Sequence, residues 1–177
     1  MIKTLKVFGA ALGYTLGLAL PFAMQSPAHA ADDALVQRGA YLAKLGDCVA
    51  CQSAPKGKPF AGGLPMSTPM GKIYSTNITP DPDTGIGRYT EEDFARALRE
   101  GVAKDGHNLY PAMPYPSYAK VKDDDVKALY AFFMSGVAPV QQANRKSDIP
   151  WPLNMRWPLA LWNVVFLDKG EIGRAHV

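Results

Sequence analysis

Cysteine and histidine are scarce in this chain, two and three respectively among 177 residues, and that scarcity excludes several function classes. The cysteines, Cys48 and Cys51, stand too close together to cross-link a fold of this size, so a disulfide framework is excluded. No second cysteine pair follows, and past residue 30 only His107 and His176 would add strong metal ligands, which makes a metal site the weakest reading of the pair. Long basic runs are missing as well. Of 19 basic residues, Lys3 and Lys6 fall in a leader described below, leaving 17 against 16 acidic ones. Nucleic acid is therefore not an expected partner, because no basic run is long enough to follow a phosphate backbone. Internal repeats are absent, and the apolar run from Val7 to about Leu20 is shorter than the ~20 residues that span a bilayer.

What is there begins with a secretory pattern. Lys3 and Lys6 give a positive start, the apolar run follows, and Ala28, His29 and Ala30 form a small-x-small cleavage pattern. Residues 1–30 are read as a signal peptide, with an uncleaved anchor as the rival, and the folded part is expected in the periplasm at the outer face of the inner membrane. The remaining length suits one domain of ordinary size. Residues 31–140 are assigned to that domain and 141–170 to an aromatic, proline-rich linker. Residues 171–177, EIGRAHV, read as the translation of a sequencing-library adapter, which removes His176 from consideration.

Helical spacing of Leu35, Val36, Tyr41, Leu42 and Leu45 predicts a first helix from about Asp33 to Leu45, ending at Gly46 just before the cysteines. The stretch from Gln52 to Gly87 is crowded with glycine and proline and is expected to be loop and turn. Thr90, three residues before Asp93, reads as a shortened capping box opening a second helix over about 91–102. Three prolines forbid a helix across LYPAMPYP, residues 109–116. Asp123, Asp124 and Asp125 open a third helix where the helix dipole favours negative charge, with Val126, Leu129, Tyr130 and Phe133 as its buried face and Gly136 as its end. The segment 150–167, with Trp151, Trp157, Trp162 and Phe166 among prolines, is too broken to span a membrane and is expected to lie across a neighbouring domain or partner.

The run CVACQ, residues 48–52, differs at one position from CxxCH, in which both thiols add to haem vinyl groups and the next histidine ligates iron. A thiol–disulfide oxidoreductase also uses a CxxC pair, but it places that pair at a helix start after a strand, and no convincing strand precedes Cys48. A leader, a glycine- and proline-rich loop and Met113 set between Pro111 and Pro114 favour haem. His107, in the polar run KDGHNLY, reads as a solvent-facing loop residue, with substitution as an iron ligand as the rival reading. Tyr74, Tyr110, Tyr115 and Tyr118 are candidate donors to the haem carboxylates, although core packing explains each equally well.

With FAGG at 60–63, STNITPDPDTGIG at 75–87, DFARALREGV at 93–102 and LYPAMPYPSY at 109–118, the chain resembles the cytochrome c subunits of membrane-bound periplasmic dehydrogenases that oxidise alcohols, gluconate or sugars, over about residues 35–167. The resemblance implies an all-α, cytochrome c-like domain of three to four helices around one covalent haem c, with long glycine- and proline-rich loops. It further implies that Cys48 and Cys51 carry the haem, that Met113 is the distal iron ligand, and that the NITPD loop packs beside the haem edge. Partners implied are a flavin- or quinone-cofactor dehydrogenase subunit and, through a longer subunit with three such domains, ubiquinone at the membrane. The role is single-electron transfer rather than catalysis by the domain alone. Two departures stand out: Gln52 occupies the position of the proximal histidine, and the family continues past WNVVF, 162–166, into a second haem domain. If both are real, a haem-deficient, non-functional fragment is the alternative.

Overall fold

The computed structural model describes residues 27–168. The leader expected over residues 1–30 lies outside the described residues except for its last four positions, and EIGRAHV with His176 lies outside them altogether. Among the described residues no helix is long and apolar enough to cross a membrane.

Helix α1 runs Pro27–Leu45, starting earlier than the apolar spacing predicts. Pro27 is suited to a first helical position, and the alanine-rich turn after it needs no apolar face to continue the helix. A single helical turn, α2 (Cys48–Cys51), follows at once. Helix α3 (Glu91–Glu100) starts on the expected capping box: the Asp93 N–H donates to Thr90 Oγ1 at 3.1 Å, and the Thr90 N–H donates to Asp93 Oδ2 at 3.1 Å. It ends at Gly101, whose φ of 65° is left-handed and whose missing side chain admits the Tyr115 ring, so Val102 is excluded from the helix. Helix α5 (Asp123–Ala131) passes into a π-helical turn over Phe132–Gly136, and Val126, Leu129 and Phe133 are buried as their spacing predicts.

Three features correct the expected all-α, loop-rich picture. The glycine- and proline-rich stretch contains an antiparallel hairpin, β1 (Pro65–Thr68) and β2 (Gly71–Tyr74), with Met66 opposite Ile73 and Thr68 opposite Gly71. Thr68 Oγ1 closes its turn by donating to the Gly71 carbonyl at 2.7 Å, a local bond that composition alone does not announce. A helical turn, α4 (Tyr115–Tyr118), begins inside the run from which helix was excluded. Its proline, Pro116, lies at the start of the turn, where no N–H is needed. The aromatic tail forms α6 (Pro158–Phe166) by the same device, with Pro158 at the first position. The four longer helices are therefore α1, α3, α5 and α6.

The core lies where α1 crosses α5. A Cβ on Gly39 would sit 1.9 Å from the Ala128 carbonyl oxygen, so only glycine allows this crossing. Ala43, Phe94, Val126, Leu129 and Phe133 pack around it together with Ile86 from the loop. The π-helical turn brings adjacent Phe132 and Phe133 onto one aromatic partner, Phe60, at centroid separations of 6.0 and 5.4 Å. Beyond it the chain runs back as an extended strap. The Asp148 N–H donates to the Lys72 carbonyl at 2.8 Å, Ile149 is buried, and Tyr74 donates to Asp148 at 2.9 Å. Helix α6 then docks on this same domain: Tyr115 donates to Asn163 Oδ1 at 2.6 Å, and Asn163 Nδ2 donates to the Glu100 carbonyl at 2.9 Å. Its other face leaves Leu161, Val164, Val165 and Phe166 exposed.

Adding one methyl at the helix crossing should be costly. Gly39→Ala is expected to lower the urea unfolding free energy by about 1–3 kcal/mol, the usual cost of overpacking. Asp93 supplies a pH-dependent test. The Lys104 ammonium, 2.6 Å away, and then the Thr90 N–H hold its carboxyl at about 2, below the ordinary 3.8. The folded value is the lower one, so this stabilisation is complete above 3.8 and is lost as pH falls through about 2. Asp93→Asn should therefore be less stable than the parent at about pH 5, and the difference should close toward about pH 2 in acid-unfolding curves.

Candidate functional site

The turn that presents the cysteines is built at the end of α1. The Gly46 N–H donates to the Leu42 carbonyl at 2.9 Å, and Asp47, at φ 50°, turns the chain so that α2 starts immediately. Cys48 is half-buried and Cys51 exposed, and both are free thiols. Burial pushes the Cys48 thiol up from its ordinary value, only partly offset by a backbone hydrogen bond that lowers it. A nucleophilic dithiol needs the opposite, a stabilised thiolate. The element before the motif is also a helix and not a strand, so both local features speak against thiol–disulfide exchange.

Gln52 closes the turn. Its N–H donates to the Cys48 carbonyl at 3.0 Å, and its own carbonyl accepts from the Gly62 N–H at 2.7 Å. The backbone is thus fixed from both sides. Its side-chain Oε1 is shut off from solvent and has no hydrogen-bond partner. A buried acceptor left this way costs about 1–3 kcal/mol, which makes it a position to be explained rather than ignored.

A second wall comes from the loop 75–87. Asn77 is almost wholly buried, and its Nδ2 donates to the Val140 carbonyl at 2.7 Å and to Thr84 Oγ1 at 3.1 Å. Its Oδ1 accepts from Thr79 Oγ1 at 2.7 Å and from the Thr79 N–H at 3.0 Å. Asp81 Oδ1 then accepts from the Thr84 N–H at 2.7 Å and Thr84 Oγ1 at 2.8 Å, bonds that hold its carboxyl below the usual range. The backbone coils tightly enough that a Cβ at Gly85 would lie 2.2 Å from the Thr79 oxygen. The loop is therefore rigid, and it is pinned to the strap after α5.

These pieces enclose one cavity of about 270 Å³. Cys48, Cys51 and Gln52 line one part, and the paired hairpin residues Met66 and Ile73 another. Ile78 and Ile86 come from the pinned loop, and Phe94 and Leu98 from α3. Met113 lines it too, 61 positions beyond Gln52 in the sequence. Its N–H donates to the Tyr110 carbonyl at 3.2 Å, and its carbonyl accepts from the Tyr115 N–H at 2.7 Å, so the loop that carries it is held on both sides. All four sequence-predicted site residues thus meet on a single, mostly apolar surface. The donor set fits a covalently attached haem: two thiols, one soft thioether, and an amide oxygen with unused acceptor capacity.

His107 also borders the cavity but is exposed and paired with Asp105, which agrees with its reading as a loop residue. Three of the four candidate tyrosine hydroxyls have protein partners: Tyr74 donates to Asp148, Tyr115 to Asn163, and Tyr118 to the Gly46 carbonyl at 3.0 Å. Arg156 was not among the expected residues. It lies over the Tyr110 ring at 4.2 Å, donates to the Asn108 carbonyl at 3.0 Å, and lines the cavity. A single arginine in an aromatic tail, 48 positions from its partner, carries no local signal that would have singled it out.

Known proteins match the chain closely over most of its length. It is 71% identical over 136 residues to a gluconate 2-dehydrogenase cytochrome c subunit of Pantoea cypripedii, covering 77% of this chain and 31% of that one. It is 58% identical over 144 residues to the cytochrome c subunit of an alcohol dehydrogenase (quinone) of Gluconobacter oxydans, covering 80% and 30%. A fructose dehydrogenase cytochrome subunit of Gluconobacter japonicus is 47% identical over 137 residues, covering 77% and 28%. The chain therefore spans about three-tenths of the length of these curated relatives. No protein-family model matches it.

The pinned loop yields a stability prediction. Asn77→Ala leaves the Thr79 N–H without its partner and removes the shorter of two bonds to the Val140 carbonyl, which keeps Thr79 Oγ1 at 3.3 Å, and should cost about 1–3 kcal/mol in chemical unfolding. Asn77→Asp should not rescue it, because its second oxygen would oppose the Val140 carbonyl.

Proposed function

We propose, from the premise that the chain belongs to the family of dehydrogenase cytochrome c subunits, that it is a single-electron-transfer domain carrying one covalent haem c. The observation that supports this most is the convergence of Cys48, Cys51, Gln52 and Met113 on one apolar cavity. Cys48 and Cys51 would hold the group through thioether links, and Met113 would offer its thioether to iron. When bound, haem c supplies a one-electron couple and nothing else is asked of the chemistry.

The chain's own residues then do three things. The apolar lining, Ile73, Ile78, Ile86 and Leu98 among it, excludes water, which favours whichever iron state carries less net charge. The Asn77 network and the Gly39 crossing keep the walls from moving, so little reorganisation accompanies gain or loss of an electron. Arg156 at the cavity gives positive charge suited to the carboxylates that a haem carries. Asp123, Asp124 and Asp125 are left to their ordinary task of starting α5.

On this reading the electron donor is a dehydrogenase subunit with a flavin or quinone cofactor, and the acceptor is the respiratory quinone pool, reached through a longer cytochrome subunit of which this is the first haem domain. The site of action is the periplasm, at the outer face of the inner membrane, in keeping with the basic and apolar leader of residues 1–30. The exposed apolar face of α6, with Leu161, Val164 and Phe166, suits contact with an adjoining domain or subunit.

Mixing the haem-loaded chain with a substrate-reduced periplasmic dehydrogenase in a stopped-flow instrument is the functional test. The haem absorption is expected to shift to that of the reduced form within the dead time to seconds, and Cys48→Ser combined with Cys51→Ser should abolish the signal. A haem that stays oxidised beside reduced dehydrogenases of the gluconate, alcohol and fructose types would contradict the assignment.

A further inference from the structure

Gln52 points beyond an ordinary electron carrier. Its Oε1 is buried without a partner, in a residue whose backbone is held at both N–H and carbonyl. A neutral amide oxygen is a hard, weak donor, poorly matched to ferrous iron, whereas the Met113 thioether is soft and is carried by a braced loop. The two residues that would offer donors to an iron here are thus unequal, and Gln52 is the weaker. Among the described residues no histidine is placed to replace the amide. His107 is the sole histidine between residues 32 and 168, and it is exposed and paired with Asp105. Ile78, Ile86, Phe94 and Leu98 give the cavity an apolar wall, which suits a small uncharged ligand, while Arg156 stands at the same cavity as the counter-charge for the haem carboxylates.

We infer that Gln52 makes its side of the haem a binding site for a small, uncharged, π-accepting diatomic ligand, with carbon monoxide as the probe. This rests on the proposed covalent haem. With haem bound, such a ligand would take the place of the weak amide donor of Gln52, whose backbone is fixed at both N–H and carbonyl, while Met113 would keep its own donor role. A histidine at the same position would close the site, because imidazole is a far better iron ligand than an amide.

The test uses the full chain matured in a host with a c-type haem attachment system. Haem stain on a denaturing gel is read first: its absence overturns the haem assignment and this inference with it. With haem attached, the dithionite-reduced protein is titrated with carbon monoxide and followed by its visible spectrum. One molecule per haem is expected, with Gln52→His weakening the affinity by at least about tenfold and converting the ligand-free spectrum to the low-spin type. Covalent haem whose spectrum does not change with carbon monoxide would overturn the inference while leaving the haem assignment standing. So would equal affinity in Gln52→His, which would put the ligand on the Met113 side.

Discussion

One buried amide holds the functional half of this fold together. Asn77 sits on the loop that forms a cavity wall, and its two ends satisfy groups from two places, Thr79 within the loop and Val140 on the strap beyond α5. Those positions are separated by some sixty residues, and Thr79 and Thr84 of the same loop add their own bonds to Val140 and Gln142 of the strap. Because the amide both donates and accepts, the loop and the strap are fixed together. Ile78 and Ile86 are thereby presented to the cavity, and Gln142 and Asn144 are brought down to add their own bonds to Ala61 and Thr84. Removing water from such a network raises the value of each bond and the cost of each omission.

That dependence explains which parts were legible beforehand. Helix α3 could be read because its cap is local: Thr90 and Asp93 lie three apart and bond to one another whatever surrounds them. Helix α5 could be read because one face carries Val126, Leu129 and Phe133 at helical spacing. The residues that meet on the cavity could be singled out because CVACQ is a contiguous motif and Met113 lies between prolines. The hairpin over 65–74 was hidden by composition, since its strands are only four residues each and its turn is closed by a single threonine. Arg156, α6 and the Asn77 network were hidden by distance. Each depends on partners some fifty to sixty residues away, which no local pattern encodes.

Gln52 is where the two kinds of information meet. In the sequence it is a departure from a motif, and in the fold it is a buried acceptor with no donor. A side chain retained only for packing would gain from losing that oxygen. On the proposed reading, this position would decide whether a haem domain also admits a small ligand, and the cysteines whether it carries haem at all. Their local surroundings weigh against the dithiol reading, since a helix and not a strand precedes them and burial disfavours the Cys48 thiolate.

The central claim is covalent attachment of haem at Cys48 and Cys51, and intact-mass spectrometry of the full chain from a haem-attaching host tests it most directly. The account predicts a mass greater than that of the polypeptide by one haem, with both thiols unreactive toward alkylating reagent. An unmodified polypeptide with two alkylatable cysteines would contradict it.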